Sequence, residues 1–314
     1  MQRVLDPAQI EAFAEREIPR VRLPQPTALF SERAQRLRDL AVSSIAGQGQ
    51  SIGEYLRLMA RLADAQQQAF AACALTAPSQ GELERARAHG MPLLHAGSLV
   101  RDGTWRVVLH QLCCAIRIPD DAAQLGVFPE PVREVCERLL QTPVPALEAQ
   151  AEAVLALQPD EVDASVAPFI SAALQMVWVG LASRLADGSV PPLSVPDVCP
   201  VCGSLPVASI VRAERGYRFL HCSLCASEWH RVRVTCTQCQ ATEGIAYYSI
   251  EGGSEAVRAE ACPQCHSYLK ILYQEKDMAV EPVADDLASL ALDLLMSVEG
   301  FHRASSNPLL WLAL

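Results

Sequence analysis

Over the first 190 positions, apolar residues recur every three or four places between short polar breaks, the period of helices that each turn one face toward a core. Asp6 and Pro7 suit the N-cap and first turn of a helix, with Gln9 placed to close a capping box and Ile10, Phe13 and Ala14 on one face. Ser51 with Glu54 and Ser79 with Glu82 repeat that capping signature, and Tyr55, Met59, Leu62, Ala63 and Phe70 form the stripe that follows the first of them. Beyond Thr104, the residues Trp105, Val108, Leu109, Leu112, Cys113 and Ile116 fall at helical spacing, and Pro131 reads as the first residue of another helix. Phe169, Ala173, Val177, Leu181 and Leu185 make a last stripe around Trp178. The pattern predicts an all-α domain of seven or eight elements over residues 1–188.

The period then changes. Residues 187–196 carry three prolines and no repeat, which marks a linker over 189–197. Short β-like runs follow at Pro206–Val211, 217–220, 231–234, 245–250 and Ser267–Tyr273, with a turn at Gly252 and Gly253. From Asp285 or Asp286 to Glu299 one more amphipathic helix is expected, carried by Leu287, Leu290, Ala291, Leu294, Leu295 and Val298 and stopped by Gly300. The expected fold is multidomain α+β: the helical domain, small β modules over 198–235 and 236–280, and a C-terminal helix and tail over 281–314.

That division coincides with the cysteines. Of 12 in the chain of 314 residues, Cys73, Cys113, Cys114 and Cys136 lie in the helical part, where free thiols behave as small apolar side chains. The other eight form four CxxC pairs: Cys199/Cys202, Cys222/Cys225, Cys236/Cys239 and Cys262/Cys265, separated by 19, 10 and 22 residues. Two residues between cysteines let the backbone turn into a knuckle that aims both sulfurs at one ion, and a second knuckle carried by a hairpin completes a tetrahedron. The first and third gaps have that length, so first-with-second and third-with-fourth pairing is expected. A cross-braced arrangement of first with third and second with fourth remains open. The spacings Cys199 to Cys236 and Cys222 to Cys262, 37 and 40 positions, suggest a duplicated unit. His221, His230 and His266 border the knuckles and are expected to support the ligands or lie at the surface.

Other readings of these pairs fit less well. The run Cys262-Pro-Gln-Cys265-His266 spells a haem-attachment signature, but that reading strands Cys236 and Cys239 and demands an exported protein. The amino-terminal residues lack the basic and apolar segments of a secretory signal, so a cytoplasmic location is expected, where paired cysteines bind metal more often than they form disulfides. The apolar window at 167–182 contains Ser171 and Gln175 and is shorter than the roughly 20 residues of a bilayer crossing; a buried helix, not membrane insertion, is expected. Spacing alone does not choose between iron and zinc, since both accept four thiolates.

Charge narrows the partners. The formal net charge is -10, and two divalent ions each held by four thiolates take it to -14, which disfavours a general polyanion binder. Residues 199–240 do carry five arginines against two acids, and Tyr217, Phe219 and Trp229 stand among them, so a zinc-ribbon nucleic-acid binder is the reading to exclude. No arrangement of nucleophile, base and phosphate loop stands out, and no enzyme activity is expected.

From Cys199 onward the chain resembles the formate dehydrogenase accessory protein family, the FdhE type, through the strings CPVCGSLP from Cys199, FLHCSLCASEWH from Phe219, RVRVTCTQC from Arg231, YLKILYQEKD from Tyr268 and VADDLASLALD from Val283. The resemblance covers about 115 residues. It implies a cytoplasmic protein with a helical domain and two rubredoxin-like modules that bind iron through the eight paired cysteines. It also implies association with the catalytic subunit of respiratory formate dehydrogenase before export, in support of that enzyme's maturation. Rubredoxin-like electron transfer is the alternative function, and self-association into a homodimer is left open. Family knuckles often place glycine after the second cysteine; Gly203 keeps it, whereas Ala226, Gln240 and His266 do not.

Overall fold

The computed structural model describes residues 19–46, 50–73, 75–118, 128–191, 193 and 195–310. The helix expected from Asp6 onward lies outside them. After a short strand β1 (Val21–Arg22), seven helices follow: α1 (Pro26–Ala46), α2 (Gln50–Ala72), α3 (Gln80–Ala88), α4 (Thr104–Arg117), α5 (Glu130–Gln141), α6 (Val144–Leu155) and α7 (Ala167–Ala182).

Local sequence accounts for several of these starts. Ser79 accepts from the Glu82 backbone N–H while the Glu82 carboxylate accepts from the Ser79 N–H, a closed capping box at the head of α3. Pro131 sits in the first turn of α5, where its missing N–H costs nothing. Ser51, read as a cap, instead lies inside α2, which begins at Gln50. All sixteen residues of α7 are buried, so it is the central helix of the domain rather than a surface helix with one apolar stripe. Its polar Gln175 is satisfied by Arg33, Gln66 and the carbonyl of Ser223. No helix among the described residues is long and apolar enough to cross a membrane.

The second half is built on one mixed sheet. Its strands are β2 (Pro206–Val211), β3 (Arg218–Cys222), β4 (Glu228–His230), β5 (Ala246–Tyr248), β6 (Val257–Ala261), β7 (Ser267–Tyr273) and β8 (His302–Arg303). They lie in the order β1-β4-β3-β2-β7-β6-β5, with β8 beside β7. Two antiparallel meanders, β2–β3–β4 and β5–β6–β7, join where β2 runs parallel to β7, with Ser209 opposite Ile271 and Val211 opposite Tyr273. Each meander has a knuckle before its first strand and another between its second and third, the duplicated unit suggested by the cysteine spacing.

Three elements differ from the sequence reading. The run 231–234 is not a strand; Glu228–His230 pairs with β3 instead, because the turn at the second knuckle sets the register. β6 escaped notice because Arg258 and Glu260 interrupt its apolar pattern, yet it lies in the middle of the second meander. The single C-terminal helix is two, α8 (Pro282–Ala288) and α9 (Leu290–Val298), broken at Ser289. There the Ser289 hydroxyl donates to the carbonyls of Asp285 and Asp286, and the Ser289 carbonyl accepts from Lys270. Gly300 follows at φ +80°, the left-handed stop expected of it.

One continuous apolar core runs from Phe30 in α1 through α7 and both meanders to Leu309. Ion pairs lock α1 onto α8 and the segment before it: Arg33 to the N-cap Glu281 at 3.0 Å, and Arg36 to Asp285 at 2.6 Å and to Asp277 at 2.8 Å.

Candidate metal centres

Each knuckle is a backbone device. The N–H of the first cysteine donates to the carbonyl five residues on: Cys199 to Ser204, Cys222 to Ser227, Cys236 to Ala241 and Cys262 to Ser267, all at 2.8 to 2.9 Å. Closing so tight a loop needs a left-handed residue after the second cysteine. All four positions have it, Gly203 at φ 80°, Ala226 at 56°, Gln240 at 63° and His266 at 54°. The three that lack glycine therefore keep the turn and bear its strain. The fold also points N–H groups at sulfur: Leu224 and Cys225 donate to Cys222 Sγ at 3.4 Å, and Gln238 and Cys239 to Cys236 Sγ at 3.4 and 3.5 Å.

The eight cysteines meet as two groups of four, Cys199/Cys202/Cys222/Cys225 and Cys236/Cys239/Cys262/Cys265, with the sulfurs of each group all within 4.8 Å of one another. First groups with second and third with fourth; the cross-braced alternative is not what the fold forms. The sulfur–sulfur distances are 3.6 Å for Cys199–Cys225, 3.3 Å for Cys202–Cys222, and 3.6 Å for both Cys236–Cys265 and Cys239–Cys262. A tetrahedron with metal–sulfur bonds near 2.3 Å has edges of about 3.8 Å, so these four edges lie within about 0.5 Å of it and no sulfur pair in either set is more than 4.8 Å apart.

Without a cation such a set is electrostatically poor. Burial pushes the Cys199 and Cys222 thiols well above their ordinary pKa. Burial opposes ionisation of Cys202 too, but donors from Cys199, Cys222, Cys225 and Ser204 outweigh it and hold that sulfur well below the usual thiol range. At Cys265, burial is outweighed by the hydroxyl and N–H of Ser267, which bring it down to about 7. One thiolate among reluctant thiols is what a divalent ion would convert into four, releasing protons as it binds.

Sequence reasoning missed the serines. Ser204, Ser227 and Ser267 stand two places after the second cysteine of their knuckles, with hydroxyls 3.4, 3.2 and 3.0 Å from the sulfurs of Cys202, Cys225 and Cys265. The repeated pattern CxxCxS was the available signal; only the third knuckle departs from it, with Ala241. It missed also the backbone wall from the helical domain, where Leu94 donates to Val201 and Ala96 to Cys202, each at 2.8 Å. Trp178 fixes that wall by donating to the Leu94 carbonyl. No periodic pattern marks such a loop.

The histidines stay out of both groups. His221 hydrogen-bonds Glu228, His230 packs edge-on against Tyr217 and Phe219, and His266 lies against Phe301. The basic and aromatic residues of 199–240 divide, with Arg215 and Arg233 exposed and others turned inward. Arg212 pairs with Glu228, Arg218 is fully buried against Glu260, and Phe219 and Trp229 are buried. Of the four remaining cysteines, Cys113 and Cys136 are in the core and Cys73 and Cys114 are half-buried.

The comparisons with known proteins agree over the whole length. Models of the FdhE family match as FdhE, N-terminal, over residues 18–194, FdhE, central domain, over 198–233, and FdhE, C-terminal domain, over 234–310. A Protein FdhE homolog of Cronobacter sakazakii is 38% identical over 315 residues, covering 98% of this chain and 97% of its own. Protein FdhE of Salmonella paratyphi A is 39% identical over 297 residues, 94% and 92% of the two chains. The crystal structure of the FdhE protein from Pseudomonas aeruginosa superposes with a TM-score of 0.81 at 38% identity, covering 93% of this chain and 99% of that one. With family models, full-length relatives and a solved fold in accord, the chain belongs to the FdhE family of formate dehydrogenase accessory proteins.

Proposed function

We propose that the eight paired cysteines hold two divalent ions, iron in the native protein with zinc as the alternative occupant, and that this protein is a cytoplasmic maturation and quality-control factor. In this reading it binds the catalytic subunit of a respiratory formate dehydrogenase, is needed for that enzyme's activity, and is not itself an enzyme. The observation that carries it is the convergence of all eight sulfurs into two sets of tetrahedral size within an FdhE-family chain. Four thiolates close the coordination shell, so the bound ion supplies structure, and iron would add one-electron exchange. The chain's own contribution is to hold the sulfurs in place through knuckle N–H groups and the serine hydroxyls, and to exclude water from the first set.

Two measurements test this. Protein purified without oxygen should contain two ions per chain, with the charge-transfer absorption of ferric tetrathiolate after oxidation if the native ion is iron. Immobilised intact protein should capture the catalytic subunit, and a Cys199→Ser/Cys202→Ser variant should not. Equal capture by both would separate partner binding from the metal sites.

A further inference from the structure

The two centres share one chemistry and sit in different surroundings. Cys199, Cys202, Cys222 and Cys225 are all buried, whereas in the second set Cys239 is exposed and Cys265 half-buried. The first set is walled by the other domain: the 94–96 backbone bonded to Val201 and Cys202, Gln175 bonded at 2.6 Å to the Ser223 carbonyl, and Pro92 and His95 packed over Gly203. A cleft of about 310 Å³ between the helices and the sheet reaches Cys202, Gly203 and Ser204, yet all four residues of the first set stay covered, so their sulfurs are reached only when these contacts loosen.

The second set has no such cover on its Cys239 side, and its framework is held by bonds that involve no sulfur. Buried Arg218 pairs with Glu260 on β6 at 2.7 Å and donates to the carbonyl of Thr235, the residue before Cys236. On β7, Lys270 is bound to Asp286 and Asp293, and Arg303 beside it to Asp286. The hairpin carrying Cys262 and Cys265 thus keeps its anchors when an ion leaves.

We propose that the second centre is an exchangeable site for divalent thiophilic metals on the folded protein, while the first is fixed. This rests on the reading above that each set holds an ion. An incoming chelator approaches at Cys239 and displaces that thiolate first. The ion departs with its charge unchanged, and the sulfurs left behind take up protons or the next divalent ion, so no electron moves. The chain can therefore accept or hand over one ion without unfolding.

The test uses the full chain loaded with two zinc ions, given excess isotopically enriched zinc and followed by native mass spectrometry. One ion should exchange more than about tenfold faster than the other, as expected of local against interdomain opening. After brief chelator treatment, alkylation and peptide mapping should mark Cys236, Cys239, Cys262 and Cys265 and spare the first four, with circular dichroism unchanged. A Cys239→Ser variant should keep only the slow ion. A common rate for both ions, or first labelling at Cys199–Cys225, overturns the inference and leaves the metal reading intact; a chain that takes up no zinc overturns the metal reading as well.

Discussion

Replacing Lys270 with methionine should unfold the sheet-side core at markedly lower temperature. Lys270 is one of only two lysines in the chain and is fully buried. Its Nζ donates to the carbonyl of Asp286 at 2.7 Å and of Ser289 at 3.2 Å, and lies 2.7 Å from the carboxylate of Asp293 and 3.3 Å from that of Asp286. With Arg303 it makes two cations facing two carboxylates, a neutral set; Asn307 satisfies a further oxygen of Asp286. Methionine preserves the apolar stem and removes the charge, leaving Arg303 alone between two acids, while the Asp286 carbonyl keeps the Ser289 hydroxyl and the Ser289 carbonyl keeps the Leu292 N–H. Breaking a buried pair from one side costs about 3–5 kcal/mol. At about 2 °C per kcal/mol for a chain of this size, the midpoint should fall by about 6–10 °C. Arg303, Lys270 and Asn307 together outweigh burial and hold Asp286 below the ordinary carboxylate range. The penalty should therefore narrow as the pH falls through about 4 and the orphaned acids gain protons. Thermal unfolding of metal-loaded protein followed by tryptophan fluorescence reads this, with exposed Lys276→Met as the control. A loss below about 1 kcal/mol, the worth of a surface pair, or a gap that widens in acid would refute the reasoning.

Two further expectations concern the knuckles and acid stability. Gln240 is exposed at φ 63°, so Gln240→Gly should raise stability by about 0.5–1 kcal/mol, the relief of left-handed strain less the entropy of glycine. Gly203→Ala should lower it, since the new Cβ would stand 3.1 Å from His95 at φ 80°; calorimetry of the two variants should give opposite signs. On acidification, metal should leave before the fold is lost, because protons compete for thiolates first. At Glu228, burial is outweighed by His221 and Arg212, and both Glu228 and Asp286 have their pKa lowered in the fold. Their stabilisation is present above the unfolded value near 4 and is lost as the pH falls through the folded values, so a metal-release titration should lie at higher pH than a circular dichroism titration.

The strings that carry the family resemblance divide between these two kinds of work. CPVCGSLP and FLHCSLCASEWH build the first centre, including Ser204, Ser227 and the left-handed Gly203 and Ala226. YLKILYQEKD and VADDLASLALD hold no cysteine; through Lys270, Asp285, Asp286 and Asp293 they form the buried ion pairs that hold α8, α9, β7 and α1 together, with Asp277 adding a half-buried one to Arg36. A metal-binding chain of this family thus depends on a charged interior as much as on its cysteines.

Local pattern was enough for whatever depends on near neighbours. Helical period, proline and capping residues located α3, α4, α5 and α7, and the two-residue spacing of the cysteines located four knuckles, because a turn of six residues is closed by its own backbone. The extent of α7 could be read directly as an apolar window, and its burial on every side followed from having no polar face. What depended on distant residues stayed hidden. The break at Ser289 draws on Lys270 nineteen residues away as well as on its own hydroxyl, β6 is a strand because β7 and β5 flank it, and β2 and β7 run side by side across both modules. The difference between the centres belongs to that second class. All eight cysteines look alike along the chain; only folding lays Leu94, Ala96 and Gln175 over one set and leaves Cys239 of the other in solvent, since burial is a property of what packs against a residue and not of the residue itself.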